Sequence, residues 1–285
     1  MILCFDLGNT RWKWGVYESG LLVDSGVLLK SVTEARQALQ EAKQTDTELA
    51  PPNRQGIEVP VESDEPDITT CLAQLKQIHG DSIHEVWASS VAEIAVQDLV
   101  NDACEQTLGL SVMYAHVYQH FAGVSAAYKK VSNLGVDRWL ALLGAWRKFG
   151  GNCVVLDAGS ALTADYLSAE GEHLGGLIAP GLRLMENALF DKTARVKPVN
   201  LVLPEEWSPQ SDTMPCVEHG LAAMFAGFVS QVEQFHKDFK LILTGGDAPL
   251  AACFACGETV IAPHLVLEGL LYYREFRQSE LEPTK

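Results

Sequence analysis

The chain has little positive charge and no long apolar run. Its 285 residues include 21 Lys and Arg against 37 Asp and Glu, which gives a formal net charge of −16. This balance disfavours non-specific binding to nucleic acid or to anionic membranes, because both attract a cationic surface. No segment reaches the roughly 18 uninterrupted apolar residues that a membrane-spanning helix requires. We therefore expect no nucleic-acid partner and no membrane association.

The cysteines do not indicate a disulfide framework. There are seven of them, an odd number, and they are spread along the chain. The first residues lead directly into an apolar strand, without the basic region and cleavage site of a secretory signal peptide. We expect a cytoplasmic protein with reduced thiols. Cys253 and Cys256 have the spacing of a redox or half-zinc motif, but no second pair lies at metal-ligand spacing, which favours an ordinary structural role.

The composition is that of a globular protein with a substantial core, since 47% of the residues are hydrophobic and 20% are charged. The length allows one large domain or two medium ones. One segment differs from the rest. Residues 44–67 combine many acidic residues with four prolines and predict a solvated, flexible insertion.

An acid followed by a glycine turn comes early in the chain. The apolar strand that begins at Ile2 ends in Asp6, and Gly8-Asn9 separates it from a second strand. Gly8 lets backbone N–H groups approach a phosphate, and Lys13 supplies a positive charge. A carboxylate tolerates nearby phosphates when a cation lies between them, so Asp6 is a candidate Mg²⁺ residue, acting through water. An ordinary tight hairpin is the alternative at this position.

A related pattern returns in the second half, where Asp157-Ala-Gly-Ser160 follows another apolar strand, 151 residues after Asp6. In both halves three strands are followed by helix, strand and helix, which indicates a duplicated fold with a nucleotide between its halves. The predicted strands are 2–6, 11–17, 21–29, 83–90, 111–114, 153–157, 162–167, 173–178 and 240–244. The predicted helices are 31–43, 68–79, 91–108, 137–149, 182–189, 216–237 and 267–278.

Two further kinds of motif are candidates for chemistry. Asp137-Arg138 begins a predicted helix, where the aspartate is either a helix-start residue or a proton acceptor beside an anion-binding arginine. The spacing leaves both interpretations open. Glycine pairs at Gly175-Gly176 and Gly245-Gly246 end predicted strands, where they permit close backbone approach or form simple turns.

Together these segments resemble the type III pantothenate kinase family, in the acetate and sugar kinase, Hsp70 and actin superfamily. The resemblance covers nearly the full length apart from 44–67. It is carried by Asp6-Leu-Gly-Asn-Thr-Arg-Trp-Lys13, Gly135-Val-Asp-Arg138, Asp157-Ala-Gly-Ser160, Gly175-Gly-Leu-Ile-Ala-Pro-Gly-Leu182, Ala188-Leu-Phe190, Thr193-Ala-Arg195 and Thr244-Gly-Gly246.

The resemblance implies an α/β fold of two duplicated ribonuclease-H-like, or actin-like ATPase, lobes. Each lobe would be a mixed β-sheet flanked by helices, with an interlobe cleft, and the lobes would comprise residues 1–149 and 150–285. It also implies ATP-dependent phosphorylation of pantothenate to 4′-phosphopantothenate, the first step of coenzyme A biosynthesis, by a homodimer that uses Mg²⁺ and a monovalent cation, K⁺ or NH₄⁺. The alternatives are another small-molecule kinase of the superfamily and a non-catalytic regulatory accessory protein.

Family roles can be placed on residues of this sequence. The resemblance makes Asp137 the catalytic base, Asp157 the monovalent-cation ligand and Asp6 the residue that faces Mg²⁺. Ser160 stands where the family usually has threonine and keeps the hydroxyl that contacts ATP. The ATP phosphate loop would comprise Asp6, Leu7, Gly8, Asn9, Thr10, Arg11, Trp12 and Lys13. The pantothenate site would comprise Tyr128, Gly135, Val136, Asp137, Arg138 and Thr213.

Ordinary structural roles remain open for three of these residues. Asp157 could be a strand-end acid without a cation, Tyr128 a packing aromatic, and Thr213 a helix cap.

Overall fold

The structure is a computed structural model that describes residues 1–9, 11–28, 67–190 and 207–281. Thr10, the predicted helix over 31–43 and the predicted insertion at 44–67, except its last residue, lie outside the described residues. So do Thr193 and Arg195. The contacts divide the chain into two compact units, Met1–Ala115 and His116–Lys285.

The first unit is built on a five-stranded mixed sheet with the order β3-β2-β1-β4-β5. Strands β1, β2 and β3 form an antiparallel meander, and β4 and β5 run parallel to β1. Its described elements are β1 (Ile2–Leu7), β2 (Trp12–Glu18), β3 (Leu21–Leu28), α1 (Ile68–His79), β4 (Glu85–Ser90), α2 (Ile94–Leu108) and β5 (Val112–Tyr114).

The second unit repeats this arrangement, with a sheet in the order β10-β9-β8-β11-β12. Its first three strands are again antiparallel and its last two parallel to the central strand. The elements of this unit are β6 (His120–Phe121), β7 (Val124–Ser125), α3 (Val136–Phe149), β8 (Cys153–Ala158), β9 (Ala161–Leu167), β10 (His173–Pro180), α4 (Leu182–Phe190), α5 (Thr213–Phe235), β11 (Lys240–Thr244), α6 (Ala248–Ala252), β12 (Thr259–Ile261) and α7 (Leu265–Leu281). The predicted duplication of a mixed α/β lobe is confirmed.

The sequence did not predict four of the shortest elements. Strands β6 and β7 pair with each other and contain two residues each, while α6 and β12 contain five and three. Two residues are too few to establish a period of alternation, so the pattern that reveals longer strands is missing.

Helix α3 groups with the second unit, whereas the predicted division placed its residues in the first lobe. The paired glycines after it, Gly150 and Gly151, resemble a linker, and both have positive φ. The helix nevertheless packs along α7, which comes from the far end of the chain. The helix is buried on every side at this point, since the five consecutive residues from Trp139 to Leu143 are all buried.

Alternation along β1 shows how the first core forms. Leu3, Phe5 and Leu7 belong to a buried cluster that also contains residues of α1 and α2. Asp6 lies between two of these residues and therefore points to the opposite face of the sheet. The same alternation places apolar Val154 and Leu156 of β8 in the core of the second unit.

Helix α5 closes the second core. Phe225, Val229 and Val232 recur at spacings of four and three residues and are fully buried. This is the stripe that a helix presents to a sheet. No helix within the described ranges is both long and apolar enough to cross a bilayer.

Candidate active site

The hairpin of β1 and β2 brings charged side chains onto one face of the first sheet. Asp6 is paired with Lys13 across the antiparallel ladder and with Ser89 of β4 across the parallel one. Residues in register on neighbouring strands direct their side chains to the same face. The Ser89 hydroxyl is buried and has no hydrogen-bond partner among the described residues. A carboxylate, an ammonium group and an unpartnered hydroxyl thus lie together near the ends of three strands.

The residues of the predicted phosphate loop differ in their exposure to solvent. Asn9 and Arg11 are exposed and Gly8 is partly exposed. A Cβ on Gly8 would come 3.0 Å from the carbonyl oxygen of Arg11, so the turn is tight. Leu7 and Trp12, by contrast, are fully buried in the core. Any part that these two play in ligand binding is therefore confined to their backbone.

Three glycine turns of the second unit converge around the end of β8. The Gly181 N–H donates to the carbonyl of Ser160 at 3.0 Å, and the Asp247 N–H donates to the carbonyl of Ala158 at 2.8 Å. These bonds bring the turn before α4 and the turn after β11 against the second acid-glycine hairpin. The sequence identified all three segments separately, and the fold assembles them.

The Asp157 carboxylate lies in a space kept open by glycine. A Cβ on Gly245 would collide with its Oδ1, and one on Gly159 would come 3.2 Å from the same atom. Gly245 has a φ of +89°, which only glycine adopts readily. Asp157 is partly exposed, and Ser160, three residues further along the same turn, is exposed. The turn therefore presents a carboxylate and a hydroxyl together.

Asp137 stands in the first turn of α3, as the second residue after the N-cap Gly135. Its Oδ1 accepts the backbone N–H of Arg138 at 2.8 Å. Burial raises the pKa of this carboxyl above its ordinary value, and the charge of Asp165 acts in the same direction. The N–H of Arg138 and its guanidinium oppose that rise. A carboxylate that is poorly hydrated yet held at a helix N-terminus is suited to accept a proton.

Arg138 is the centre of a buried polar network. Its Nε donates to Asp165 Oδ2 at 2.8 Å and its Nη2 to Asp165 Oδ1 at 2.5 Å. Its Nη1 donates to the Tyr128 hydroxyl at 3.1 Å. His173 Nε2 lies 2.9 Å from Asp165 Oδ1, and the His173 ring stacks on Tyr128 with 6.0 Å between the ring centroids. The network joins residues from α3, β9, β10 and the segment before α3.

The sequence comparisons identify the family. The model of the type III pantothenate kinase family matches residues 2–234 of this chain. The chain belongs to the type III pantothenate kinase family. A type III pantothenate kinase from Pseudomonas fluorescens (strain Pf0-1) is 32% identical over 280 residues, covering 95% of this chain and 97% of that protein. One from Teredinibacter turnerae is 35% identical over 204 residues, covering 69% of this chain and 82% of that protein.

A solved structure supports the fold. The crystal structure of a Baf-family transcriptional activator from Campylobacter jejuni superposes with a TM-score of 0.56 at 19% identity, over 97% of this chain and 99% of that chain. At this identity the likeness concerns the architecture of the chain. It agrees with the duplicated mixed sheets described above.

Within this pantothenate kinase family member, the structure brings together part of the predicted acceptor site. Tyr128, Gly135, Asp137 and Arg138 lie in one neighbourhood of the second unit. Asp165 and His173 belong to the same network but were not identified from the sequence. In the sequence, Asp165 is indistinguishable from an ordinary polar residue of an amphipathic strand. Its place in the site is apparent only from its hydrogen bonds with Arg138.

Thr213 is the exposed first residue of α5. An open groove of about 480 Å³ is found next to it, lined by residues that include Trp207, Gln210, Cys216 and His219. Thr213 makes no hydrogen bond to Tyr128, Asp137 or Arg138 among the described residues.

No group of three His, Cys, Asp or Glu side chains within the described ranges is placed to hold a metal ion. The thiols of Cys253 and Cys256 are both free. A Mg²⁺ ion at Asp6 would therefore take most of its ligands from phosphate oxygens and water, which is usual for this ion.

Proposed function

We propose that this chain phosphorylates pantothenate with ATP as the donor, and that the acceptor hydroxyl is bound beside Asp137. Membership of the family supports the reaction. The observation that supports the site is the pairing of a proton-accepting carboxylate with an arginine at the start of α3. A hydroxyl acceptor needs the first group and an acceptor with a carboxylate needs the second.

The proposed chemistry is a direct transfer. The hydroxyl oxygen of pantothenate forms a bond to the γ-phosphorus of ATP, and the bond from that phosphorus to the bridging oxygen breaks. The electron pair of the broken bond leaves with ADP. Asp137 accepts or orients the hydroxyl proton. Because the transition state of phosphoryl transfer is loose, full removal of the proton before attack is not required.

The β1–β2 hairpin is the proposed phosphate site. Its exposed turn residues offer backbone and side-chain donors, and Lys13 adds a positive charge on the face that carries Asp6. The partnerless Ser89 hydroxyl on this face is the feature expected of a surface that meets a polar ligand. Asp6 would hold Mg²⁺ through water, and the ion would neutralise charge on the phosphates.

The second acid-glycine hairpin is the proposed site of the monovalent cation and of a further ATP contact. Asp157 would ligate K⁺ or NH₄⁺, and the flanking glycines leave the space that its carboxylate occupies. The cation would supply positive charge near the nucleotide. Ser160, exposed in the same turn, would donate its hydroxyl to ATP.

The acceptor site is proposed to contain Tyr128, Gly135, Val136, Asp137 and Arg138, with Thr213 supplied by the second subunit of a homodimer. Thr213 is exposed, as a residue that reaches into the site of a partner chain must be.

The function is tested by coupled measurement of ADP release with the purified protein. We expect release only when ATP, Mg²⁺ and pantothenate are all present, and faster release with K⁺ than with Na⁺. A panel of sugars and other alcohols tests the alternative function, in which the enzyme phosphorylates another small molecule. Absence of ADP release with every acceptor would favour the non-catalytic regulatory role.

Replacing Gly135 by Ala is expected to lower kcat for pantothenate by about 10- to 100-fold, because misplacement of a catalytic group by about 1 Å costs that order of rate. The new Cβ would collide with Oδ1 of Asp137 and move the carboxylate. The backbone itself accepts alanine, since Gly135 has φ −58° and ψ 135°. Steady-state kinetics should show the KM for ATP unchanged. A Gly135→Ala enzyme with full kcat would contradict the placement of Asp137 in the acceptor site.

A further inference from the structure

We propose that Asp165 is a positioning residue, which holds the Arg138 guanidinium in the orientation that receives the carboxylate of the acceptor. The inference rests on the proposed function, because it assumes the acceptor to be an anion that meets Arg138. No role is given to Asp165 by the sequence motifs. Its assignment comes from the buried network that it joins.

The first support is the pattern of hydrogen bonds between Asp165 and Arg138. It accepts hydrogen bonds from Nε and Nη2, which together form one side of the guanidinium. Tyr128 takes one N–H of Nη1. Of the five N–H groups that arginine carries, two remain without a described partner, one on each terminal nitrogen. These two form the end of the fork, which is suited to a bidentate bond with a second carboxylate.

The second support is burial on all sides of Asp165. The side chains of Asp165, Arg138 and His173 are 3%, 8% and 0% exposed. Buried ion pairs are seldom more stabilising than well-packed apolar residues of the same size, because two charges lose their hydration. A gain in stability is therefore a weak explanation for the presence of this buried pair. A role in fixing the direction of a ligand-binding guanidinium explains it better.

Gly176 supplies a third and independent observation. It is the register partner of Asp165 on β10. A Cβ there would collide with the Ala164 carbonyl oxygen and come 2.5 Å from Asp165 Oδ1 and 2.6 Å from Arg138 Nη2. The absence of a side chain at this position leaves room for the pair, so three elements of the second unit are shaped around one carboxylate–guanidinium contact.

His173 completes the arrangement from the other side of Asp165. Its Nε2 lies 2.9 Å from Oδ1, and its Nδ1 lies 3.4 Å from the backbone nitrogen of Ala127, which precedes Tyr128. Asp165 is thereby held against rotation, and the residue that contacts Arg138 through its hydroxyl is held as well. Arg138 keeps its charge in this setting, since burial opposes it but the hydrogen bonds and charge of Asp165 leave the pKa of Arg138 raised.

The test is the effect of Asp165→Asn on each substrate separately. We expect the KM for pantothenate to rise about 10- to 100-fold, the loss that accompanies a charge-assisted hydrogen bond. The KM for ATP should stay within about twofold, and kcat should fall much less than kcat/KM for pantothenate. Asp165→Glu, which restores the charge, should recover part of the loss. Glu170→Gln is the matched control, because Glu170 is an exposed acid in the loop between β9 and β10.

Pantothenol, which has an alcohol in place of the carboxylate, separates positioning from a general loss of structure. As a competitor of pantothenate it should have nearly the same inhibition constant with the wild type and with Asp165→Asn, because it offers no anion to Arg138. Equal weakening of pantothenol and pantothenate would overturn the inference. So would a pantothenate KM that stays within twofold of the wild type.

Misfolding of the variant and failure of the proposed function can both be told apart from failure of this inference. If Asp165→Asn fails to fold, Gly176→Ala takes its place, since it displaces the pair while keeping both charges, and the same split between substrates is expected. If the wild type releases no ADP with pantothenate, the proposed function fails and this inference fails with it. An active wild type with an unaffected Asp165→Asn variant refutes the inference alone.

Discussion

Replacing Asp137 by Asn is expected to lower kcat by about 10²- to 10⁴-fold, the contribution of a positioned acid–base group. The amide keeps an oxygen that accepts the Arg138 N–H, so the start of α3 is preserved. What it loses is the ability to accept a proton from the acceptor hydroxyl. The KM values for ATP and pantothenate should change little, and steady-state kinetics with each substrate varied in turn measures this.

The pKa of Asp137 provides a second readout of the same variant. Burial raises this pKa, so the wild-type activity should decline on acidification with a midpoint above that of an ordinary aspartate. The carboxyl must be ionised to accept a proton, so activity is lost as pH falls through its pKa. The small residual activity of Asp137→Asn should lack this acidic limb.

The stability of the variant distinguishes a chemical from a structural effect. A carboxyl whose pKa is raised on folding favours the folded state below its unfolded pKa, and this contribution is lost as pH rises through the folded pKa. Ionised Asp137 is thus unfavourable at neutral pH, and Asn removes that cost. The melting temperature should therefore not fall. Asp238→Asn, at an exposed aspartate, is the control. A folded Asp137→Asn enzyme with full turnover would exclude the proposed base.

The local pattern of the sequence was sufficient for most of the sheets and helices. In β1, apolar residues alternate with Cys4 and Asp6, and this period places the acid on the face away from the core. Helix α1 was predicted at both ends because its signals are strong. Asp67 accepts the Thr70 N–H at 2.9 Å as N-cap, and Gly80 ends the helix with a φ of +58°.

Contacts between distant segments could not be predicted in this way. Asp165 and Arg138 are 27 residues apart, and nothing in the local pattern of β9 distinguishes Asp165 from a residue that faces solvent. Its burial depends on the register of β9 with β10 and on the position of α3. The same reason explains the boundary between the units. Gly150 and Gly151 resemble a linker, but the packing of α3 on α7 places the helix before them in the second unit.

The close packing of α3 on α7 is where we expect a substitution to have its largest effect on stability. Gly269 of α7 and Gly144 of α3 allow the two helix backbones to touch. A Cβ on Gly269 would overlap the carbonyl oxygen of Leu140 and come 3.1 Å from the backbone nitrogen of Gly144. Both are backbone atoms of a buried helix, so neither can rotate away as the end of a side chain would.

Replacing Gly269 by Ala should therefore cost about 3 kcal/mol of unfolding free energy, the upper part of the usual range for overpacking. For a folding unit the size of His116–Lys285 that corresponds to a fall in melting temperature of roughly 6–12 °C. Gly227→Ala on α5 is the matched control. There a Cβ meets no described atom within 4 Å, and the better helix propensity of alanine should keep or raise the stability. Thermal and urea unfolding of both variants measures the difference. Equal stability of Gly269→Ala and Gly227→Ala would show that α3, which carries Asp137 and Arg138, is not held in place by close contact with α7.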